Sequence, residues 1–311
     1  MWSSVARVDY PAILEQAWQE HLAPREADAP TVVSTFAGCG GSSLGYSMAG
    51  YRELLAVEWD DNAVATFKLN FPDVPVYHGD ICKLSVEECL NRAKIEPGQI
   101  DVLDGSPPCQ GFSTAGKRVM TDARNSLFRE FIRLLRGLRP KVFIMENVSG
   151  LVKGKMKLVF AEIMREMKAS GYKVSCRLLN AMYFQVPQSR QRLIWIGVRE
   201  DLSIEPSHPK ARLVIGSIRV DDRLCSLSRK RYGDKLQCEH KPISTITKIG
   251  RHFWDVRHEF GPLSYSVNAS FPREFMFVGG LAVRKQRIGN SVPPLFMRAI
   301  AGHVRREILR A

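Results

Sequence analysis

The sequence predicts an α/β protein: an open sheet with helices on both faces, joined to a smaller irregular region. Three observations predict it. Apolar runs of strand length recur at Thr31–Phe36, Leu54–Val57, Ile100–Asp104 and Lys141–Met145, and each closes on a glycine turn, a proline turn or an acidic residue. The first runs straight into Ala37-Gly38-Cys39-Gly40-Gly41-Ser42-Ser43-Leu44-Gly45, a glycine-rich turn opening a helix, where backbone can approach a ligand and free N–H groups can meet a polar or anionic one. From about Asp201 to Glu259 the periodicity weakens, prolines appear at Pro206, Pro209 and Pro242, and basic residues cluster at Arg229-Lys230-Arg231.

Taken in order, Tyr10–Trp18 reads as a short amphipathic helix, followed by a Pro-containing connector at Pro24 and Pro30 that makes residues 1–30 an appendage. After the glycine turn, the second strand ends in Glu58-Trp59-Asp60, about twenty residues further on, where a ribose diol would find an acceptor pair and an indole could stack on an adenine face. A third unit, Val74–Ile81, brings Asp80 to a strand end, within the chemistry of an adenine amine. The fourth strand breaks into Gly105-Ser106-Pro107-Pro108-Cys109-Gln110-Gly111-Phe112-Ser113; paired prolines fix φ and remove two donors, so Cys109 sits at a defined point beyond a strand end, where open α/β sheets bind ligands. A lone cysteine is ordinarily core filler, so its company has to decide.

Residues 114–125 are polar and long enough for a flap. Apolar spacing at Leu127, Phe128, Phe131, Ile132, Leu134 and Leu135 marks a helix, and the next strand carries Glu146-Asn147-Val148 to the same sheet edge as Cys109. A helix over Leu158–Ser170 closes at Gly171; strands follow at Tyr172–Leu179 and Leu193–Val198, the latter entered through Gln188-Ser189-Arg190-Gln191-Arg192. The chain ends with Arg287-Ile288-Gly289-Asn290-Ser291-Val292-Pro293-Pro294 and a helix from Leu295 to Leu309.

Composition sets outer bounds. A chain of 311 residues, 45% hydrophobic, can bury a full core, and its seven irregularly spaced cysteines form no disulfide framework, so a reducing, intracellular setting is expected. No signal peptide or membrane helix is legible, which predicts a soluble protein with no membrane partner. The net charge of +13 points to a polyanion. Cys225, Cys238 and His240 match no common zinc spacing, and no metal is expected.

The ordered set Phe36–Gly41, Gly105–Ser113, Met145-Glu146-Asn147-Val148, Gln188–Arg192 and Gly289–Pro294 resembles the DNA (cytosine-5) methyltransferase family, over about residues 31–198 and 286–311. The resemblance implies a Rossmann-like methyltransferase sheet in a catalytic domain over 31–200, a target-recognition domain over 201–272, and a C-terminal segment, 273–311, returning to the catalytic domain. It implies S-adenosylmethionine as methyl donor, cradled by Phe36, Gly38, Cys39, Gly40, Gly41 and Pro107, with Glu58 on the ribose, Trp59 on adenine, Asp80 and Ile81 at its edge, and Asn290 and Ser291 closing the methionine end. Cys109 would add to carbon 6 of a flipped cytosine, with Glu146 at N3 and the exocyclic amine, protonated or sharing a proton. Arg192 would contact the carbon 2 carbonyl, and Arg190 would support it. Gln110, Ser113, Lys117, Arg118 and Arg124 would meet DNA from a closing loop, and Arg229, Lys230 and Arg231 from the recognition domain. The expected partner is double-stranded DNA and the expected state a monomer in the cytoplasm, at the nucleoid of a prokaryote or in the nucleus of a eukaryote.

One segment departs from the family pattern: Gly261–Ser270 lacks the Arg-Glu charges expected before Phe271-Pro272, where a helix braces the recognition domain. A catalytically weak, DNA-holding relative is therefore a rival reading. A tRNA cytosine methyltransferase is another, but the chain has no Cys-Phe-Thr tripeptide, and thymidylate synthase lacks the glycine turn and strand-end acids.

Overall fold

The computed structural model describes residues 9–108, 127–211, 227–229, 234–236, 243–246 and 262–310. Helix α1 (Tyr10–Leu22) starts at a capping acid: the Asp9 carboxylate accepts the Ala12 N–H at 3.2 Å, and Pro11 sits in the first turn, where its missing donor is not needed. Then come β1 (Thr31–Thr35), α2 (Gly41–Met48), β2 (Arg52–Glu58), α3 (Asp61–Asn70), β3 (Val76–His78), α4 (Val86–Ala93), β4 (Val102–Gly105), α5 (Leu127–Leu138), β5 (Val142–Val148), α6 (Lys157–Lys168) and β6 (Tyr172–Asn180). After them lie β7 (Gln188–Ser189), β8 (Gln191–Arg199), β9 (Leu227–Arg229), β10 (Asp234–Leu236), β11 (Ile243–Ser244), α7 (Pro262–Asn268), α8 (Leu281–Asn290) and α9 (Pro294–Val304), which runs into a π-helical turn at Arg305–Leu309.

Seven strands form one sheet in the order β3-β2-β1-β4-β5-β8-β6. The first five are parallel, and β8 runs antiparallel to both β5 and β6. Strand alternation divides the core into two layers. Val32, Val142, Ile144, Ile194 and Ile196 face a layer with Leu44 and Tyr46 of α2 and Phe296 and Ile300 of α9; Val33, Leu103, Phe143, Met145 and Trp195 face one with Cys89 of α4, Phe131 and Leu135 of α5, and Ile163 of α6. Helices thus cover both faces.

The strand order reverses between β1 and β4, and a crevice at the carboxyl ends of parallel strands opens at such a switch point. The glycine turn leaves β1 and the proline turn leaves β4, so both are delivered to that crevice. The segment before Phe271-Pro272 forms α7, and Tyr265, Val267, Ala269 and Phe271 are buried in the first core layer, so apolar packing stands where charges were expected. β11 pairs in parallel with β7, tying the region after 201 to the entry of β8.

Candidate active site at the carboxyl edge of the sheet

One side of the switch point, where the sequence places the expected cofactor contacts, is built around one carboxylate. Glu58, at the end of β2 and only 8% exposed, accepts the N–H groups of Trp59 and Asp60 at 2.9 Å through Oε1 and that of Gly38 at 2.7 Å through Oε2. It thereby clips the turn after β1 to the turn after β2. Phe36, the first residue of that turn, sits at φ 55°, a conformation costly for a side chain and commonest where a site over-determines the backbone. A side chain at Gly41 would meet the Val292 carbonyl at 2.4 Å, so the start of α2 lies hard against the segment after α8. At Gly38, by contrast, with φ +58°, a Cβ would meet nothing within 4 Å, which leaves space over the turn.

Trp59 is 74% exposed beside this space, an unusual placement for an indole. Gly79 donates its N–H to the Glu58 carbonyl at 3.0 Å, which brings Asp80 alongside; Asp80 is exposed and caps the turn at Ile81–Lys83, and Ile81 is buried. Ser291 donates its hydroxyl to the Arg287 carbonyl at 2.7 Å, and Cys39 Sγ lies 3.0 Å from Ser291 Oγ. Asn290 is exposed at the end of α8.

On the other side of the switch point, Gly105 permits the crossing of β1 and β4: a Cβ there would lie 2.5 Å from Thr35 Oγ1 and 2.6 Å from Phe131. The Pro107 carbonyl accepts the Asn147 side-chain amide at 3.1 Å, so β5 fixes the direction in which the proline turn leaves β4. Nothing in the sequence pattern gave Asn147 this role, although it adjoins Glu146. Glu146, at the end of β5, pairs with Arg192 of β8 at 2.5 Å between Nε and Oε1, with their side chains 10% and 12% exposed. A pair this shielded is screened by salt far less than a surface one, and removing either partner strands a buried charge.

Arg190 does something different from its neighbour. It is buried, and its Nη1 and Nη2 each donate at 3.1 Å, to the carbonyls of Ile246 and Gly289. Burial, with Arg192 beside it, pulls Arg190 well below the usual guanidinium range. Arginines at a strand entry ordinarily form a solvated edge; here both are enclosed.

The described cysteines are all held as thiols. Burial pushes Cys39 and Cys89 up to about 11 and Cys176 up to about 12, and Cys82 is raised as well. Cys109, Gln110, Ser113, Lys117, Arg118 and Arg124 lie outside the described residues, as do Lys230, Arg231, Cys225, Cys238 and His240; Arg229 is described only as backbone in β9, opposite Asp234. Among the described residues no group of His, Cys, Asp or Glu could hold a metal ion, and no helix is long and apolar enough to cross a membrane.

A sheet with a glycine turn, a buried strand-end acid and an acid–arginine pair around one switch point defines an open α/β protein of the class that binds ligands in the crevice at the carboxyl edge of its sheet. Comparison with known proteins narrows this class. The model of the C-5 cytosine-specific DNA methylase family matches residues 31–259. The Type II methyltransferase M1.HphI of Haemophilus parahaemolyticus is 33% identical over 87% of this chain and 85% of its own length, and M.AquIA of Picosynechococcus is 41% identical over 57% of this chain and 76% of its own. Among solved structures, a prophage-encoded DNA modification methyltransferase candidate from E. coli superposes with a TM-score of 0.74 at 22% identity, covering 90% of this chain and all (100%) of that one. DNMT2 of Spodoptera frugiperda superposes at 0.67 with 19% identity, covering 87% and 98%. The chain belongs to the C-5 cytosine-specific DNA methylase family, whose reaction is methylation of cytosine in DNA.

Proposed function

We propose that this protein methylates carbon 5 of a cytosine flipped out of double-stranded DNA, with Cys109 as nucleophile and S-adenosylmethionine as donor. The observation that supports it most is the buried Glu146–Arg192 pair beside the proline turn that Asn147 holds, facing the glycine turn across the switch point. The residues suit the donor: an open space over Gly38, a strand-end acid at Glu58 and an exposed indole at Trp59 fit a nucleoside. When bound, the donor supplies an electrophilic methyl group.

The chain's own residues supply the rest. Carbon 5 of cytosine is a poor nucleophile until a thiolate adds at carbon 6; the Cys109 sulfur forms that bond, and the ring's electron pair moves toward N3 and the carbon 2 oxygen. Glu146 holds a proton at N3 and accepts from the exocyclic amine, while Arg192 donates to the carbon 2 oxygen, so the existing pair opens onto the base in place of its own partner. Carbon 5 would then take the methyl group as the donor's methyl–sulfur bond breaks and its electron pair stays on sulfur, and N3 would return its proton to Glu146. Loss of the carbon 5 proton to water restores the ring and expels the Cys109 thiolate. Arg190, engaged with two backbone carbonyls, supports Arg192 by fixing the strand beneath it.

Base flipping costs a few kcal/mol, and phosphate contacts by Lys117, Arg118 and Arg124 would help to meet it. Residues 201–259, with Arg229, Lys230 and Arg231, would read the major groove, and Gln110 and Ser113 would lie against the gap left by the base. The protein would work as a cytoplasmic monomer. Tritium transfer from S-adenosylmethionine to duplex DNA is expected for the wild type and not for Cys109→Ser; transfer persisting in that variant would remove Cys109 from the role. Bisulfite mapping in a host without cytosine methylation should return a consensus site, whereas DNA binding without turnover would favour the catalytically weak alternative.

A further inference from the structure

We propose that Arg287 is a positioning residue for the cofactor: it locks the Trp59-Asp60 turn to α8, so that the cofactor site and the base pocket hang on one strut. The inference rests on the cofactor reading above. Arg287 is 9% exposed, and its Nη2 donates to Asp60 Oδ2 at 2.8 Å across 227 positions of sequence. Asp60 is the residue after Trp59, and its other oxygen caps α3 by accepting the Ala63 N–H at 3.0 Å. The carboxylate is therefore held from both sides, and the turn that presents the indole is held with it.

The same helix makes three other attachments. Lys285 lies 4.8 Å from the centre of the Tyr265 ring of α7, which anchors α8 laterally. The Arg287 carbonyl accepts Ser291 Oγ, which in turn contacts Cys39 in the glycine turn. The Gly289 carbonyl accepts Arg190 Nη2, from the link between β7 and β8, the strand that carries Arg192. A shift of α8 thus reaches Trp59, the glycine turn and the arginine side of the base pocket together. Arg287 also has an electrostatic role, because Glu58, Asp60, Asp61 and Asp80 crowd one edge, and among the described residues Arg287 is the cation paired with Asp60.

The test uses the full-length protein and S-adenosylhomocysteine, followed by tryptophan fluorescence with Trp59→Phe as the blank and by calorimetry. Arg287→Met is expected to weaken binding about tenfold, Arg287→Lys to recover part of that loss, and Asp60→Asn combined with Arg287→Met to lose little more than either alone, as a shared contact requires. In methyl transfer the KM for the donor should rise by a similar factor while kcat at saturating donor stays within about threefold. A purely structural role would lower the melting temperature and kcat without this split. Should Arg287→Met fail to fold, Asp60→Asn, which keeps an acceptor for the α3 cap, carries the same expectation. Unchanged affinity in the variants, or independent and additive losses, would overturn the role of Arg287 alone. A wild type with no saturable response would take away the cofactor reading and this proposal with it.

Discussion

Asn147 and Glu146 are neighbours in sequence that serve two different atoms. Asn147 fixes the Pro107 carbonyl at 3.1 Å, and Glu146 faces Arg192 at 2.5 Å. Replacing Asn147 with Ala removes one buried hydrogen bond, worth about 1 kcal/mol of stability, but frees the turn that leads to Cys109. With Cys109 as the proposed nucleophile, single-turnover methyl transfer is expected to slow by about tenfold or more while a urea melt shifts only slightly, because a misplaced nucleophile costs more than a lost bond. Under the proposed mechanism, Glu146→Gln and Arg192→Met should each lower kcat by about a hundredfold or more, and the double variant by much less than the product, since both would act on the same base. Rapid-quench transfer assays on the three variants check this.

At the scale of elements, α2 and the segment after α8 meet without room to spare. Gly41→Ala would set a methyl group 2.4 Å from the Val292 carbonyl, so α2 must move away from the 289–292 segment. A loss of about 1–3 kcal/mol is expected, together with weaker S-adenosylhomocysteine binding. Gly38→Ala is the contrast: nothing obstructs its methyl, but its φ of +58° disfavours any side chain, and the methyl would enter the space proposed for the donor. The N-terminal appendage is also an element with a purpose in packing. Tyr10, Leu14 and Ala17 of α1 are core, Arg25 donates to the carbonyls of Tyr51 and His21, and Glu20 pairs with Arg298 of α9 at 2.5 Å.

For the whole molecule, two carboxyl groups beneath the site set the pH dependence of stability. Burial, with Glu53 and Glu146 nearby, pushes Asp104 up to about 8, where it accepts the Tyr46 hydroxyl at 3.1 Å; burial pushes Glu53 up to about 7. A carboxyl whose folded value is raised holds its proton longer in the folded state, so stability falls as pH rises from the ordinary carboxylate range to the folded value. His21 and His208, buried and lowered to about 4, act in the opposite sense, but only below their ordinary value of 6.5. The interval between pH 7 and 8 therefore reports chiefly on Asp104. The melting temperature is expected to fall across it, and Asp104→Asn, which keeps an acceptor for Tyr46, should flatten the fall. Charge acts at the same scale: with a net +13, DNA affinity should drop steeply with salt for matched and unmatched duplexes alike, measured by anisotropy from about 50 to 200 mM salt.

The family, the sheet and the contiguous motifs were all legible along the chain, because each depends on local constraints: continuous apolar runs of strand length in β1, β4 and β5, glycine at a positive φ, proline before Cys109, acids at strand ends. No local pattern placed a helix at α8, and the reason is physical. Leu281–Asn290 carries charges all round, and only Arg287, Ile288 and Gly289 are buried, so no apolar stripe announces it. Nor could spacing separate Arg190 from Arg192: two residues apart, they differ only in what each meets, backbone carbonyls for one and a carboxylate for the other. Asp60 and Arg287 stand 227 positions apart, and only the fold closes the distance between them to 2.8 Å. Folding alone settles such cases, since the energy of a buried charge belongs to its surroundings and not to its place in the chain.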